Sequence, residues 1–340
     1  EDLGLNAPSS NMNVANAGGM MQMGQNAGGG EPSTNIKFDK PHVDTGTMRG
    51  DVENEDYKRF VKELEEMMSD MTNLGNFHQK LNEYITKPVF VQALTTTGPE
   101  DKLKVDEQNI DLQNLIPTQS QIFLGSSLKY AFNVSPSEDL KQELQGTNPK
   151  VAGSIVVAKV NDGAYHIIDG HHRWSQLCCL NPAQQISCKV IGGLKSALEG
   201  LKVTHLAVAK ELKKVPDAGG DPADNMLKMD KKTISDQCAA MITQVTSGGK
   251  HNLLQTLQEN TPKELFEKAV PGVDVRNATA NNFGDYIATN AEIVKAQAGK
   301  SEQKNSRKIM PQTNNTAYDQ TISTGSINIC LLYTSPSPRD

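Results

Sequence analysis

Ile167-Ile168-Asp169-Gly170-His171-His172-Arg173-Trp174 is the stretch on which the reading of this chain turns. It lies within Ser154 to Ile191, which reads as strand, turn, strand, helix, strand. Ile155, Val156, Val157, Ala158 and Val160 form a β-rich run, Asn161-Asp162-Gly163 is a tight-turn signal, and Tyr165 to Ile168 is a second run, so a hairpin over 154–168 is predicted. Past Asp169-Gly170 the apolar period changes. Trp174, Leu177, Cys178 and Leu180 recur at helical spacing until Asn181-Pro182, which predicts a helix over 171–180 with the polar cluster in its first turn. Trp174 begins the apolar stripe of that helix and is expected to be buried.

The first turn of a helix offers N–H groups at the positive end of the dipole, a setting that suits an anion such as phosphate. Gly170 lets a ligand approach the backbone, and Arg173 adds a permanent charge in the same turn. With His172 they form the candidate phosphate-binding set. Asp169, His171 and His172 are the candidate catalytic residues: a carboxylate at a strand end can take Mg²⁺ or a proton, and an imidazole can act as general acid or base. The bland alternative is a D-G turn followed by two solvated histidines.

In its strand–turn–helix context, I-I-D-G-H-H-R-W resembles the second box of the ParB/sulfiredoxin superfamily, the ParB-like nuclease domain. Leu115-Ile116-Pro117-Thr118-Gln119, behind Ile110, Leu112 and Leu115, resembles the first strand and proline-glutamine turn of such domains. The resemblance spans roughly residues 105 to 192 and implies an α+β fold, a small mixed-sheet core flanked by N-terminal and C-terminal helices. It marks Gln119 and Trp174 as supporting residues. ParB proteins that bind CTP share Gly170, Arg173 and Trp174 but differ at His171, His172 and Ser175. Sulfiredoxins carry their catalytic cysteine where this chain has His171, so sulfinic-acid reduction is not expected. Free-serine kinases carry D-G-H-H-R as it stands here, which implies Asp169 in catalysis and ATP phosphates at the helix start. The resemblance leaves three functions open: a nucleotide- or nucleic-acid-binding nuclease using Mg²⁺, an ATP-dependent kinase of a small hydroxyl substrate, and a non-catalytic interaction or virion protein. Similarity to phage proteins that join this domain to helical flanks implies host cytoplasm or a virion.

Working outward, residues 1–36 are rich in Asn, Gly and Met and read as a disordered arm. Tyr57, Phe60, Val61, Leu64, Met67, Met68, Met71 and Leu74 share a helical face, so 51–85 is a helical N-terminal segment whose Met-rich helix 55–74 is core or a homo-oligomer seam. A Gly75-Asn76 break precedes a second helix from Phe77 to Ile85, with His78 at the surface. The superfamily-like domain covers 86–193, with a strand at Val89–Leu94, a turn at Thr95–Glu100, a Ser135-Pro136-Ser137-Glu138 capping box opening a helix to Gln145, and a last strand over Ile186–Ile191. A helical region covers 194–298: Leu194 to Leu212, a loop over Val215–Asp224, a helix from Thr233 or Ser235 to Val245, one opened by a Thr261-Pro262-Lys263-Glu264 capping box, and one marked by Phe283, Tyr286, Ile287, Ile293 and Val294. Residues 299–329 read as an extended, disordered tail with a solvated Arg307-Lys308 pair. Residues 330–340 resemble a translated sequencing adapter, which implies an environmental gene fragment.

A net charge of −6 gives no global basic field for nucleic acid, so any such contact is local. Lys202, Lys210, Lys213 and Lys214 form a modest basic patch on what reads as a solvated helix face. Cys178-Cys179 read as packing residues and no C-x-x-C pair is present, so neither disulfide nor zinc is expected. No metal site is assigned beyond Asp169 as a possible Mg²⁺ ligand, and no apolar run is long enough to span a bilayer.

Overall fold

A computed structural model describes residues 59, 62–63, 66–70, 73–88, 104–134, 137–147, 155–212, 214–215, 223–249 and 251–311. The N-terminal arm, the strand at Val89–Leu94, the turn at Thr95–Glu100, the Ser135-Pro136 half of the first capping box and everything past residue 311 lie outside them.

The fold is α+β, built on a mixed five-stranded sheet. Its strands are β1 (Lys104–Asp111), β2 (Leu115–Pro117), β3 (Ile155–Val160), β4 (Tyr165–Asp169) and β5 (Gln185–Leu194), in the order β1-β5-β3-β4-β2. β3 and β4 form the expected antiparallel hairpin, with Lys159 opposite Tyr165. Its turn closes because Asp162 accepts from the Ala164 N–H and Gly163 takes a positive φ of 87°. β5 returns parallel to β3, and β2 lies parallel to β4.

Alternation along β3 divides the core in two. Ile155 and Val157 face one cluster, with Ile167 of β4 and Trp174, while Val156 and Ala158 face the other, with Ile168 and Ile191. Helices α1 (Leu74–Tyr84) and α5 (Ala197–Leu212) cover the second face, together with Met67 and Met68. On the first face lie α2 (Leu124–Lys129), α3 (Ser137–Gln145), α4 (His171–Leu180), α6 (Lys231–Ser247), α7 (Leu253–Asn260), α8 (Lys263–Ala269) and α9 (Ala280–Gly299).

Several local expectations shift. Gly75-Asn76 is no break: α1 begins at Leu74, because the Asn73 side chain accepts from the Asn76 N–H and caps it. His78 is buried, not at the surface, because its face of α1 packs on α5, where its ring meets His205 edge-on at 5.4 Å. Leu194 ends β5 rather than opening a helix. α6 starts earlier than Thr233, because Asp230 is its cap. The Thr261 capping box does not form: Pro262 is the N-cap of α8 and makes no side-chain cap bond. Lys202 leaves the proposed basic patch. It is fully buried, over the Phe77 ring, donating to the carbonyls of Met67, Met68 and Asp70. Cys178, Cys179, Cys188 and Cys238 are buried free thiols whose pKa values burial pushes up, as suits packing residues.

The largest difference concerns the region after α9. Ser301–Pro311 is not part of an extended tail but a strap laid across the loop that follows β2. Asn305 donates its backbone N–H and its side-chain amide to Thr118 O, at 3.2 and 3.0 Å, and accepts from the Ser120 N–H at 2.9 Å. Among the described residues, no helix is long and apolar enough to cross a membrane.

Candidate functional site

The polar cluster sits where β4 becomes α4. Gly170 is the N-cap of α4, with φ 100° and ψ 20°, a left-handed conformation that side chains strain to adopt. A Cβ there would also lie 2.9 Å from Ile155 Cγ1 and 3.3 Å from its Cα. Both constraints select glycine, and glycine brings no side chain of its own to cap the helix, at the end where the dipole is positive.

His171 and His172 have matching roles. Thr118 donates its N–H to His171 Nε2 at 3.0 Å, and Phe123 donates its N–H to His172 Nε2 at 3.1 Å. Each bond uses the Nε2 lone pair and places the ring proton on Nδ1. Burial drives both pKa values down to about 3, with His172 adding to the effect on His171 and Arg307 to that on His172. His172 also stacks on Phe123, ring centroids 5.5 Å apart. Two neutral imidazoles therefore hold both ends of the 118–123 loop against the start of α4. Asn225 holds the same loop from a further side, accepting from Ile122 N–H and donating to Ser120 O.

Arg173, assigned from the sequence to the phosphate-binding set, is instead engaged with α3. Its guanidinium donates to Glu143 Oε1 of α3 at 2.6 Å, Gln176 donates to the other carboxylate oxygen at 2.8 Å, and Glu143 is itself 1% exposed. Trp174 is buried as predicted, its indole N–H donating to Leu112 O. Gln119 is buried, bridged to Asn305 and donating to Gln121 O.

A second cation occupies the helix start instead. Arg307, read from the sequence as solvated, is brought there by the strap, with its guanidinium carbon 5.4 Å from the Phe123 ring centroid. Gln121 Oε1 accepts from the Arg307 N–H at 2.8 Å and from the Ser306 hydroxyl at 3.3 Å. Burial lowers the Arg307 pKa and the Asp169 charge opposes that shift, while the Arg307 charge lowers His172 in turn. The cluster thus gathers Asp169, Gly170, His171 and His172 with Thr118, Phe123, Asn305 and Arg307, and turns Arg173 toward α3. The sequence marked Thr118 only as part of the 115–119 stretch and offered no signal for Phe123, Asn305 or Arg307, because each contact joins segments with no shared local pattern. Asp169 is the carboxylate beside the helix start, and among the described residues no group of three His, Cys, Asp or Glu side chains forms a metal cage. These donors fit Mg²⁺ only as an ion held mainly by phosphate and water with one protein carboxylate, a common arrangement for that ion.

No family model, curated protein or solved structure matches the chain.

Proposed function

We propose that this protein binds the phosphate of a nucleotide or nucleic acid at the start of α4, with Asp169 as the acidic group of any transfer or cleavage step. The observation that carries the reading is the ten-residue α4 opening on a left-handed glycine, without a side-chain cap. Backbone N–H groups of the first turn would orient the phosphate. Asp169 would accept a proton from an attacking hydroxyl or water, or share Mg²⁺ carried by the ligand. Bound there, Mg²⁺ would neutralise charge on the phosphate oxygens.

The engaged imidazoles bear on the reaction class. A histidine whose lone pair already accepts a backbone N–H cannot take a substrate proton without releasing the loop, so His171 and His172 suit positioning better than general-base work. This favours phosphate binding with Asp169-centred chemistry, as in a kinase of hydroxyl substrates, over a histidine-based nuclease.

The test is calorimetric titration of the full chain with ATP, CTP and short single- and double-stranded DNA, followed by turnover assays with Mg²⁺. Binding of at least one phosphate ligand is expected. Asp169→Asn should abolish turnover while binding survives or tightens, because a negative charge near the anion is removed. Failure of the parent protein to bind any of these ligands would overturn the reading.

A further inference from the structure

We infer that Arg307, delivered by the 301–311 strap, is the side-chain cation that meets the ligand's phosphate at the start of α4, the place that local sequence assigns to Arg173. The inference rests on the phosphate-site reading above and adds a residue far from the motif.

Three observations support it. Arg173 is already committed: its guanidinium bonds the buried Glu143, and Gln176 completes the same carboxylate. A bidentate grip on phosphate would have to break that pair and leave a buried carboxylate short of its partner. Arg307, in contrast, lies at the helix start and is held there from several sides. Asn305 fixes the strap to Thr118, Gln121 accepts from the Arg307 backbone, and the Phe123 ring backs the guanidinium. The third observation is electrostatic. A cation set against the positive end of a helix is unfavourable in itself, since cations are stabilised at the opposite end. Asp169 offsets one charge, yet the helix end and Arg307 together still favour an anion. A phosphate ester arriving there would meet backbone N–H donors on one side and a planar guanidinium fork on the other, a geometry to which arginine is suited.

The experiment uses the full chain, with ATP, adenosine and a short single-stranded DNA as probes. Adenosine lacks the phosphates and reports whether a substitution acts through charge or through shape. Arg307→Gln should lower ATP or DNA affinity by about tenfold to a hundredfold, the loss of one charge-assisted contact, with adenosine binding unchanged. Arg307→Lys should recover part of the affinity. Lys308→Gln removes an equal charge from the next, exposed position of the strap and should leave binding within about twofold.

Several results would overturn the inference. If Arg307→Gln binds ATP and DNA as the parent does, the cation lies elsewhere and the phosphate-site reading stands without it. If ATP and adenosine weaken together, Arg307 only docks the strap. If the parent binds none of the phosphate probes, the reading of the site falls and the inference falls with it.

Discussion

Gly170 and the two histidines after it show how much a single position can be asked to do. Gly170→Ala places a side chain in the left-handed region and against Ile155, and should cost about 1–3 kcal/mol of stability, measured by denaturant unfolding. The histidines predict a pH dependence. His171, His172 and His205 are each pushed down to about 3 in the folded chain, chiefly by burial, from an ordinary value of 6.5. The unfolded chain therefore binds more protons below pH 6.5. Their stabilising contribution is complete above that pH and is lost progressively as pH falls toward 3. Each histidine adds up to about 1.4 kcal/mol per pH unit to the slope within that window. Unfolding free energies measured from pH 7 to 4 should fall accordingly, and less steeply in His171→Gln; equal slopes would count against a neutral buried His171. Trp174 and Gly170 could be read from sequence because their roles follow from helix period and turn geometry. The partners of the histidines could not, since Thr118 and Phe123 lie in a loop whose neighbours are set by tertiary packing.

Among the elements, those with strong local patterning were legible and those held by single polar contacts were not. The β3–β4 hairpin and α4 follow from alternation, a turn signal and a change of period, and the structure places both as expected. The cap of α1 at Asn73 was hidden behind a glycine that resembled a break. The strap has no helical or strand period, and its place is fixed by Asn305, Ser306 and Arg307 reaching the 118–121 segment and by Met310 buried in the second core cluster. Asn305→Ala removes the side-chain bond to Thr118 O and leaves that buried carbonyl with the backbone bond alone. A loss of about 1–2 kcal/mol is expected, with faster amide exchange at Ser120, whose N–H bonds Asn305 O. If Ser120 exchange is unchanged, the strap does not brace the loop.

For the molecule as a whole, the sequence suggested a core domain over 86–193 followed by a separate helical region, and the packing joins them. Tyr286 donates its hydroxyl to Leu180 O, Asn290 donates to Cys179 O, and Gln297 donates to Leu115 O, so α9 is bonded to both α4 and β2. Ile234, Phe283, Ile287 and Val294 belong to the same apolar cluster as Val157, Ile167 and Trp174. Periodicity identified the C-terminal helices but could not say that their apolar faces would meet the sheet's own helix layer. A fragment limited to 86–193 should therefore expose that cluster, bind a hydrophobic dye and unfold without a cooperative transition. A sharp, two-state melt of the fragment would show that the core stands alone.

The strap also sets a schedule. Thr118 and Asn305, which clasp each other beside the helix start, are 187 positions apart. During translation the glycine turn and its histidines emerge long before the strap does. At roughly 5–20 residues per second the interval is on the order of ten seconds, in which the hairpin can form while the clasp is still inside the ribosome. Any ligand affinity that depends on Arg307 is thus withheld from the nascent chain and gained only once the C-terminal helices have been made and packed.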